Sequence, residues 1–178
     1  MLDSVVKRLR RAAQARREKR FADAHRDLVK AVAACRQAGA RCELIMALKG
    51  LGQIERDLGR ADAARPLIEE AVDLCREEGD PLRLAHTVRH LGDIHRRAGR
   101  RELAEACYEE ALAIYRNHDD AVPLDLANAL RPLAILKHDA DQIDEARHLF
   151  EEAKDYYLAA NVQAGVAECS TWLARLGR

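Results

Sequence analysis

The stretch "LGQIERDLGRADAARPLIEEAVDLCR", residues 51–76, is followed 40 residues later by "LGDIHRRAGRRELAEACYEEALAIYR", residues 91–116. A third copy, "LAILKHDADQIDEARHLFEEAK", begins at residue 133, and a fainter one, "RFADAHRDLVKAV", occupies residues 20–32. Self-similarity at a fixed period of this size marks a stack of repeated supersecondary units, each too small to bury its apolar face alone.

Composition gives the unit its material. The 178 residues are 48% hydrophobic and 34% charged but only 4% aromatic. Straight-chain and small residues of this kind lose little rotamer freedom in a helix. Apolar residues recur at helical steps: Leu84, Val88, Leu91 and His95 in one segment, and Leu103, Ala106, Cys107, Ala111 and Ile114 in the next, with Ala104 and Tyr108 beside them. The spacing predicts nine helices near 2–17, 21–38, 42–58, 61–78, 81–98, 101–117, 122–138, 142–158 and 161–176. Asp80-Pro81 reads as an N-cap followed by a proline at the first helical position, and Gly59 and Gly99 as C-terminal caps. Pro66 falls early in its helix, where a lost hydrogen bond matters least. Pro132 falls in mid-helix, where a bend is expected. The last segment places Val162, Val166, Cys169, Leu173 and Leu176 on one stripe able to close an open end of the stack.

At homologous places stand Leu51-Gly52, Ala64, Ile68 and Ala71; then Leu91-Gly92, Ala104, Tyr108 and Ala111; then Leu133-Ala134, Ala146, Phe150 and Ala153. The first unit keeps Ala12, Ala24, Leu28 and Ala31. This pattern resembles the tetratricopeptide repeat, in its longer 40–42-residue variety as in kinesin light chains. The resemblance implies an all-α fold, a TPR-like α-solenoid forming a right-handed superhelix of four helix hairpins plus a C-terminal capping helix. One solenoid domain over residues 1–178 is expected, with units about 1–40, 41–80, 81–121 and 122–160 and the capping helix at 161–176. The chain departs from the family where an aromatic is usual, with Glu55, His95 and Lys137 instead. Arg8 and Arg11 also replace apolar residues in the first unit, where terminal repeats are expected to be atypical.

No Gly-rich phosphate loop, nucleophile elbow or HExxH occurs, and the recurring acid pairs Glu69-Glu70, Glu109-Glu110 and Glu151-Glu152 read as a solvated helix face. The expectation is a non-enzymatic chain with no catalytic residues, no cofactor and no metal. His86 and His90 have metal-ligand spacing, but no third ligand shares their face, so hydrogen-bonding histidines are expected. Cys35, Cys75, Cys107 and Cys169 are read as reduced core thiols of a cytoplasmic protein; Cys42 is undecided. The opening residues carry no apolar run of signal-peptide length, and membrane association is not expected. "KRLRRAAQARREKR", residues 7–20, holds eight basic residues and one acid, but Val5, Val6, Leu9, Ala13 and Leu2 give it an apolar stripe. A solvated helix face is favoured there over nucleic-acid binding. Trp172 is read as packing of the last helix.

The resemblance places the first helix of each hairpin along a concave groove. Its expected lining is Lys49, Gln53, Arg56, His86, Arg89, Asp93, Arg96, Asn128, Arg131 and His138, with Asp57, Arg97, Ile135 and Asp139 beside them. Basic residues outnumber acidic ones there six to three, and Lys49, Arg89 and Arg131 are repeat equivalents. The function expected is a protein-interaction scaffold binding a peptide or protein segment that is acidic or ends in a carboxylate. A self-assembling structural subunit and a nucleic-acid binder are the alternatives; the identity of the partner and the oligomeric state are not legible.

Overall fold

The computed structural model describes the backbone of residues 2–177 and the side chains of residues 3–177. The Leu2 side chain, placed above on the apolar stripe of the first helix, lies outside them. The described residues form nine helices and no strand: α1 Leu2–Arg17, α2 Phe21–Ala38, α3 Arg41–Asp57, α4 Ala61–Glu78, α5 Pro81–Arg97, α6 Arg101–Arg116, α7 Pro123–Asp139, α8 Ile143–Ala159 and α9 Gln163–Leu176. Each boundary falls within a residue or two of that read from the sequence.

The turns explain this agreement. Helices end on residues with positive φ at Lys19, Gly39, Gly59, Gly79, Gly99, Asp141 and Asn161. In most of these turns the following amide reaches back to a carbonyl five residues earlier, as from Arg60 to Glu55 at 2.8 Å and from Gln142 to Lys137 at 2.9 Å. That bond satisfies a carbonyl orphaned by the helix end and reverses the chain within two residues. Glycine reaches the left-handed region without a Cβ clash, which is why it holds the turn at 39, 59, 79 and 99. Asp80 caps α5 as read, its carboxylate accepting from the Arg83 amide at 3.0 Å. The helix assignment of α7 runs unbroken through Pro132 to Asp139.

The chain divides into two compact units, one carrying α1–α5 and ending at Arg100, the other beginning at Arg101 and carrying α6–α9. In the first, α1 packs on α2 and α3 on α4, while α3 also meets α1 and α5. In the second, α7 packs on α8, with α6 against α7 and α9 against α8.

The repeat residues lie in the interior. Ala24, Ala31, Ala64, Ile68, Ala71, Ala104, Tyr108, Ala111, Ala146, Phe150 and Ala153 are all fully buried. Small residues let two backbones approach, and Gly52 shows how closely. A Cβ there would lie 2.6 Å from Ile68 Cγ1. One part of the sequence reading needs correcting. The buried face of α6 runs through Ala104, Tyr108, Ala111, Leu112 and Tyr115, while Leu103 is 53% exposed and Ala106 is exposed. The inward stripe is therefore turned by one residue from the one centred on Leu103.

Cys35, Cys75 and Cys169 are free and fully buried, as expected of core thiols. Cys107 is only half-buried, and Cys42 is exposed, its thiol donating to Glu78 at 3.2 Å. Arg8 and Arg11 are answered by Asp27 of α2, at 3.4 and 3.2 Å. Asp27 is itself buried, so an ion-pair cluster stands in the first hairpin where apolar contacts were expected.

Candidate protein-binding face

Successive first helices of the repeats touch along a fixed register. Arg16 Nη1 of α1 donates to Gln53 Oε1 of α3 at 2.8 Å, and Gln53 Nε2 meets His90 Nε2 of α5 at 2.7 Å. Lys49 Nζ reaches His86 Nδ1 at 3.2 Å, and Arg56 Nη1 donates to Asp93 at 2.8 Å. Each of these pairs is separated by 37 residues. A second set, Arg16 to Asp57 at 2.8 Å and Arg97 to the Arg56 carbonyl at 3.3 Å, is separated by 41. The two separations differ by four, one helical turn, so both sets lie on one face of each helix.

Asp93 is the hub. It accepts from Arg56 and lies 3.4 Å from His90 Nδ1 and 3.6 Å from Arg89 Nη1. Arg56, Arg89 and His90 are all buried. Burial opposes ionisation of Asp93, but the polar contact of His90 Nδ1 and the charges of Arg89 and Arg56 outweigh it and hold the carboxyl well below the usual range. The histidines move the other way. Burial, then the charge of Lys49, pushes His86 down to about 2. Burial, then the charge of Arg89, pushes His90 down to about 3, against the pull of Asp93. Both are neutral at physiological pH, which suits their contacts: the bare Nδ1 of His86 accepts from Lys49, and the bare Nε2 of His90 accepts from Gln53 and Arg89. Their rings meet edge to face at 4.7 Å. No group of three or more metal-ligating side chains occurs among the described residues.

Donors exceed acceptors on this face. Arg16, Lys49, Arg56, Arg89, Arg96 and Arg97 share the first unit with two facing carboxylates, Asp57 and Asp93. The Nε atoms of Arg89 and Arg96 are buried without a hydrogen-bond partner among the described residues. The structure thus joins Lys49, Gln53, Arg56, His86, Arg89 and Asp93 in one network, with Arg96 one turn beyond Asp93.

The remaining expected residues lie in the second unit and are engaged there. Asn128 Oδ1 accepts from the Tyr157 hydroxyl at 2.9 Å. Arg131 donates to Glu168 of α9 at 2.6 Å, again 37 residues on, and lies over the Tyr157 ring. His138 contacts Asp139 at 3.1 Å and the edge of Trp172, which stacks on Phe150 at 5.3 Å. Trp172 thus packs α9 in place, as read. The α9 helix takes the place of one more first helix, and Glu168 supplies its acid.

Sequence reasoning missed Arg16, although residues 16, 56, 96 and 138 are equivalent and all Arg or His. It read the 7–20 segment as a solvated helix face, and Lys7, Arg10, Arg11, Arg17, Lys19 and Arg20 are exposed. Its pairing was not legible: Arg8, Arg11, Arg16 and Arg20 are drawn to Asp27, Asp57, Glu18 and Asp23.

Comparison with known proteins agrees with this architecture. Residues 43–117 match the family model of the tetratricopeptide repeat. Residues 126–178 match that of anaphase-promoting complex subunit 5. No curated protein sequence is significantly similar to the chain. Among solved structures, BtubC (BKLC) from P. vanneervenii superposes with a TM-score of 0.70 at 20% identity, over 93% of this chain and 76% of that one. A signal-transduction ATPase with numerous domains and a tetratricopeptide-repeat sensor, from Pyrococcus horikoshii, superposes with a TM-score of 0.81 at 16% identity, over 95% of this chain but only 26% of that one. A candidate kinesin light chain from Podospora anserina with nearly identical repeats gives 0.72 at 16% identity, over 97% and 94%. At such identities the likeness is one of fold. No helix among the described residues is long and apolar enough to cross a membrane.

Proposed function

We propose that this chain, whose repeats are tetratricopeptide repeats, is a non-catalytic protein-interaction scaffold that takes an acidic or carboxylate-ended segment on the α1–α3–α5 face. The observation that carries the reading is the surplus of positive charge there: six cationic side chains, Arg16, Lys49, Arg56, Arg89, Arg96 and Arg97, against two carboxylates, Asp57 and Asp93. A carboxylate offers the acceptors the face lacks, and guanidinium groups can hold it through two parallel hydrogen bonds. Partial burial of Arg56 and Arg89 strengthens such bonds relative to exposed ion pairs. The match of residues 126–178 to a subunit of a multiprotein complex agrees with a scaffold role. In the second unit the equivalent cation, Arg131, is already held by Glu168 of α9, a built-in example of the contact proposed for a partner.

Selection from a displayed random-peptide library tests this. Enriched peptides should carry an excess of Asp and Glu or require a free C-terminus. They should bind with Kd on the order of micromolar, weakening as salt rises. A Lys49→Gln/Arg97→Gln variant, altering half-exposed and exposed side chains, should lose them while keeping its helical circular-dichroism signal. Enrichment of neutral or basic peptides, or equal binding by the variant, would sink the proposal.

A further inference from the structure

Adjoining the Asp93 network, and sharing Arg16, Lys49, Gln53 and Asp57 with that face, the first unit holds an open pocket of about 620 Å³ between α1, α2 and α3. Its apolar wall comes from Leu9, Ala13, Phe21, Leu28 and Met46. Two small residues leave the pocket open. Gly50 stands where the next repeat has the buried His90, and without a side chain it leaves the Leu28 methyl group as the floor, 2.9 Å from where a Cβ would be. On α1, Ala13 stands where α3 has Gln53 and α5 has Asp93, so this stretch of the face is hollow where the next is filled with polar side chains. The rim is basic: Arg16, Arg17, Lys19 and Lys49 border the pocket, and the one acid there, Asp57, is held by Arg16 and Arg56.

We propose that this pocket binds an amphiphilic monoanion, an apolar body of small-molecule size carrying one carboxylate. The volume lies within the range of about 300–1,000 Å³ usual for small-ligand sites, which are likewise mostly apolar with a few polar groups at one edge. The walls are helical, so their main-chain donors and acceptors are used up, and an extended peptide would find no ladder of partners on them. An alkyl chain needs none. The cationic rim selects the charge of the head group, and exposed Met46 offers an adaptable, polarizable wall.

The test uses the whole chain and dodecanoate below its micellar concentration. The sequence has two methionines, Met1 and Met46, so a methyl-labelled methionine spectrum carries a reporter inside the pocket, assigned by Met46→Leu. The Met46 resonance should move saturably with Kd on the order of 10 μM, and decanoate should bind roughly tenfold more weakly. Dodecyltrimethylammonium, with the same chain and the opposite charge, should bind at least about tenfold more weakly still than dodecanoate. Ala13→Phe fills the mouth from an exposed position and should abolish the shift with the circular-dichroism signal unchanged; Lys49→Gln should weaken it. An unmoved Met46 resonance, equal binding of the two head groups, or undiminished binding by Ala13→Phe would overturn the proposal. So would retention of the chain on phosphatidylserine vesicles that survives Ala13→Phe, which would place the attraction on the basic surface. No partner protein enters the test, so it stands or falls separately from the acidic-segment reading.

Discussion

Acid should destabilise this protein through two histidines, and the size of the effect follows from their surroundings. His86 and His90 are held neutral in the fold, at about 2 and about 3, by burial and by the cations Lys49 and Arg89. In the unfolded chain each returns to about 6.5. The folded values are therefore depressed, and for a base this means the unfolded state binds the additional protons. Stability is complete above pH 6.5 and falls as pH drops from there towards 3. At pH 5 the unfolded state gains RT ln(1 + 10^1.5), about 2 kcal/mol, per histidine. For the pair the loss is roughly 4 kcal/mol relative to pH 8, a large part of a typical 5–15 kcal/mol. Urea denaturation followed by circular dichroism at pH 8, 6.5 and 5 measures it. The His86→Gln/His90→Gln variant should lose about 4 kcal/mol less than the parent over that range, whatever its stability at pH 8. His95, also lowered by burial and by Arg100, remains in both proteins and cancels. Equal losses would refute the reasoning, as would a His90 ring resonance that titrates near pH 6.5.

The same histidines, held neutral in the fold, leave the proposed ligand without a pH signature of their own: affinity for a selected acidic peptide should stay level between pH 8 and 5.5. Fluorescence anisotropy should show this level affinity in the parent, and a rise towards pH 5.5 would refute the low histidine values. In the second unit, Lys137 is buried against Glu105 at 2.5 Å and Glu145 at 3.0 Å. Glu105→Gln/Glu145→Gln should cost about 3 kcal/mol by stranding the ammonium, while Lys137→Phe should be neutral or stabilising, both read from Trp172 fluorescence in urea. Gly165→Ala forces a Cβ to within 2.5 Å of the Tyr157 ring and should cost roughly 1–3 kcal/mol in the same assay. Gly39→Ala meets nothing within 4 Å and should cost only about 1 kcal/mol, for its φ of +62°, measured by circular dichroism.

The sequence made the helices legible because their ends are written in local chemistry: a left-handed residue and a five-residue return bond depend on neighbours alone. The face of α6 was harder. Leu103 outranks Ala104 in hydrophobicity, and a stripe drawn by hydrophobicity turns towards it. In the fold Ala104 is fully buried and Leu103 is exposed, so the small residue of the repeat pattern, and not the more hydrophobic one, marks the inward face. The network around Asp93 was legible as composition but not as pairing. Which donor an acid meets depends on the 37-residue register between stacked helices, set by how far each helix slides along the last.

The docking of a first helix on the second helix before it accounts for the buried polar residues where the family usually has an aromatic. Glu55 meets His25 at 2.8 Å and Arg60 at 3.4 Å. His95 lies in the field of Arg65, Glu69 and Arg100. Lys137 meets Glu105 and Glu145, whose hydrogen bonds raise it against the opposing effect of burial. His25, Arg65 and Glu105 are repeat equivalents, as are Glu55, His95 and Lys137. Alanine recurs at the same buried places, 24, 64, 104 and 146, so packing there does not distinguish one repeat from another. The polar pairs do. Glu55 set against Glu105, or Lys137 against Arg65, would bury like charges, at a cost of several kcal/mol that no aromatic at these positions would impose. An aromatic would stabilise every stacking equally; unlike polar pairs penalise the wrong ones, and that discrimination fits the choice of Glu, His and Lys at three equivalent buried places.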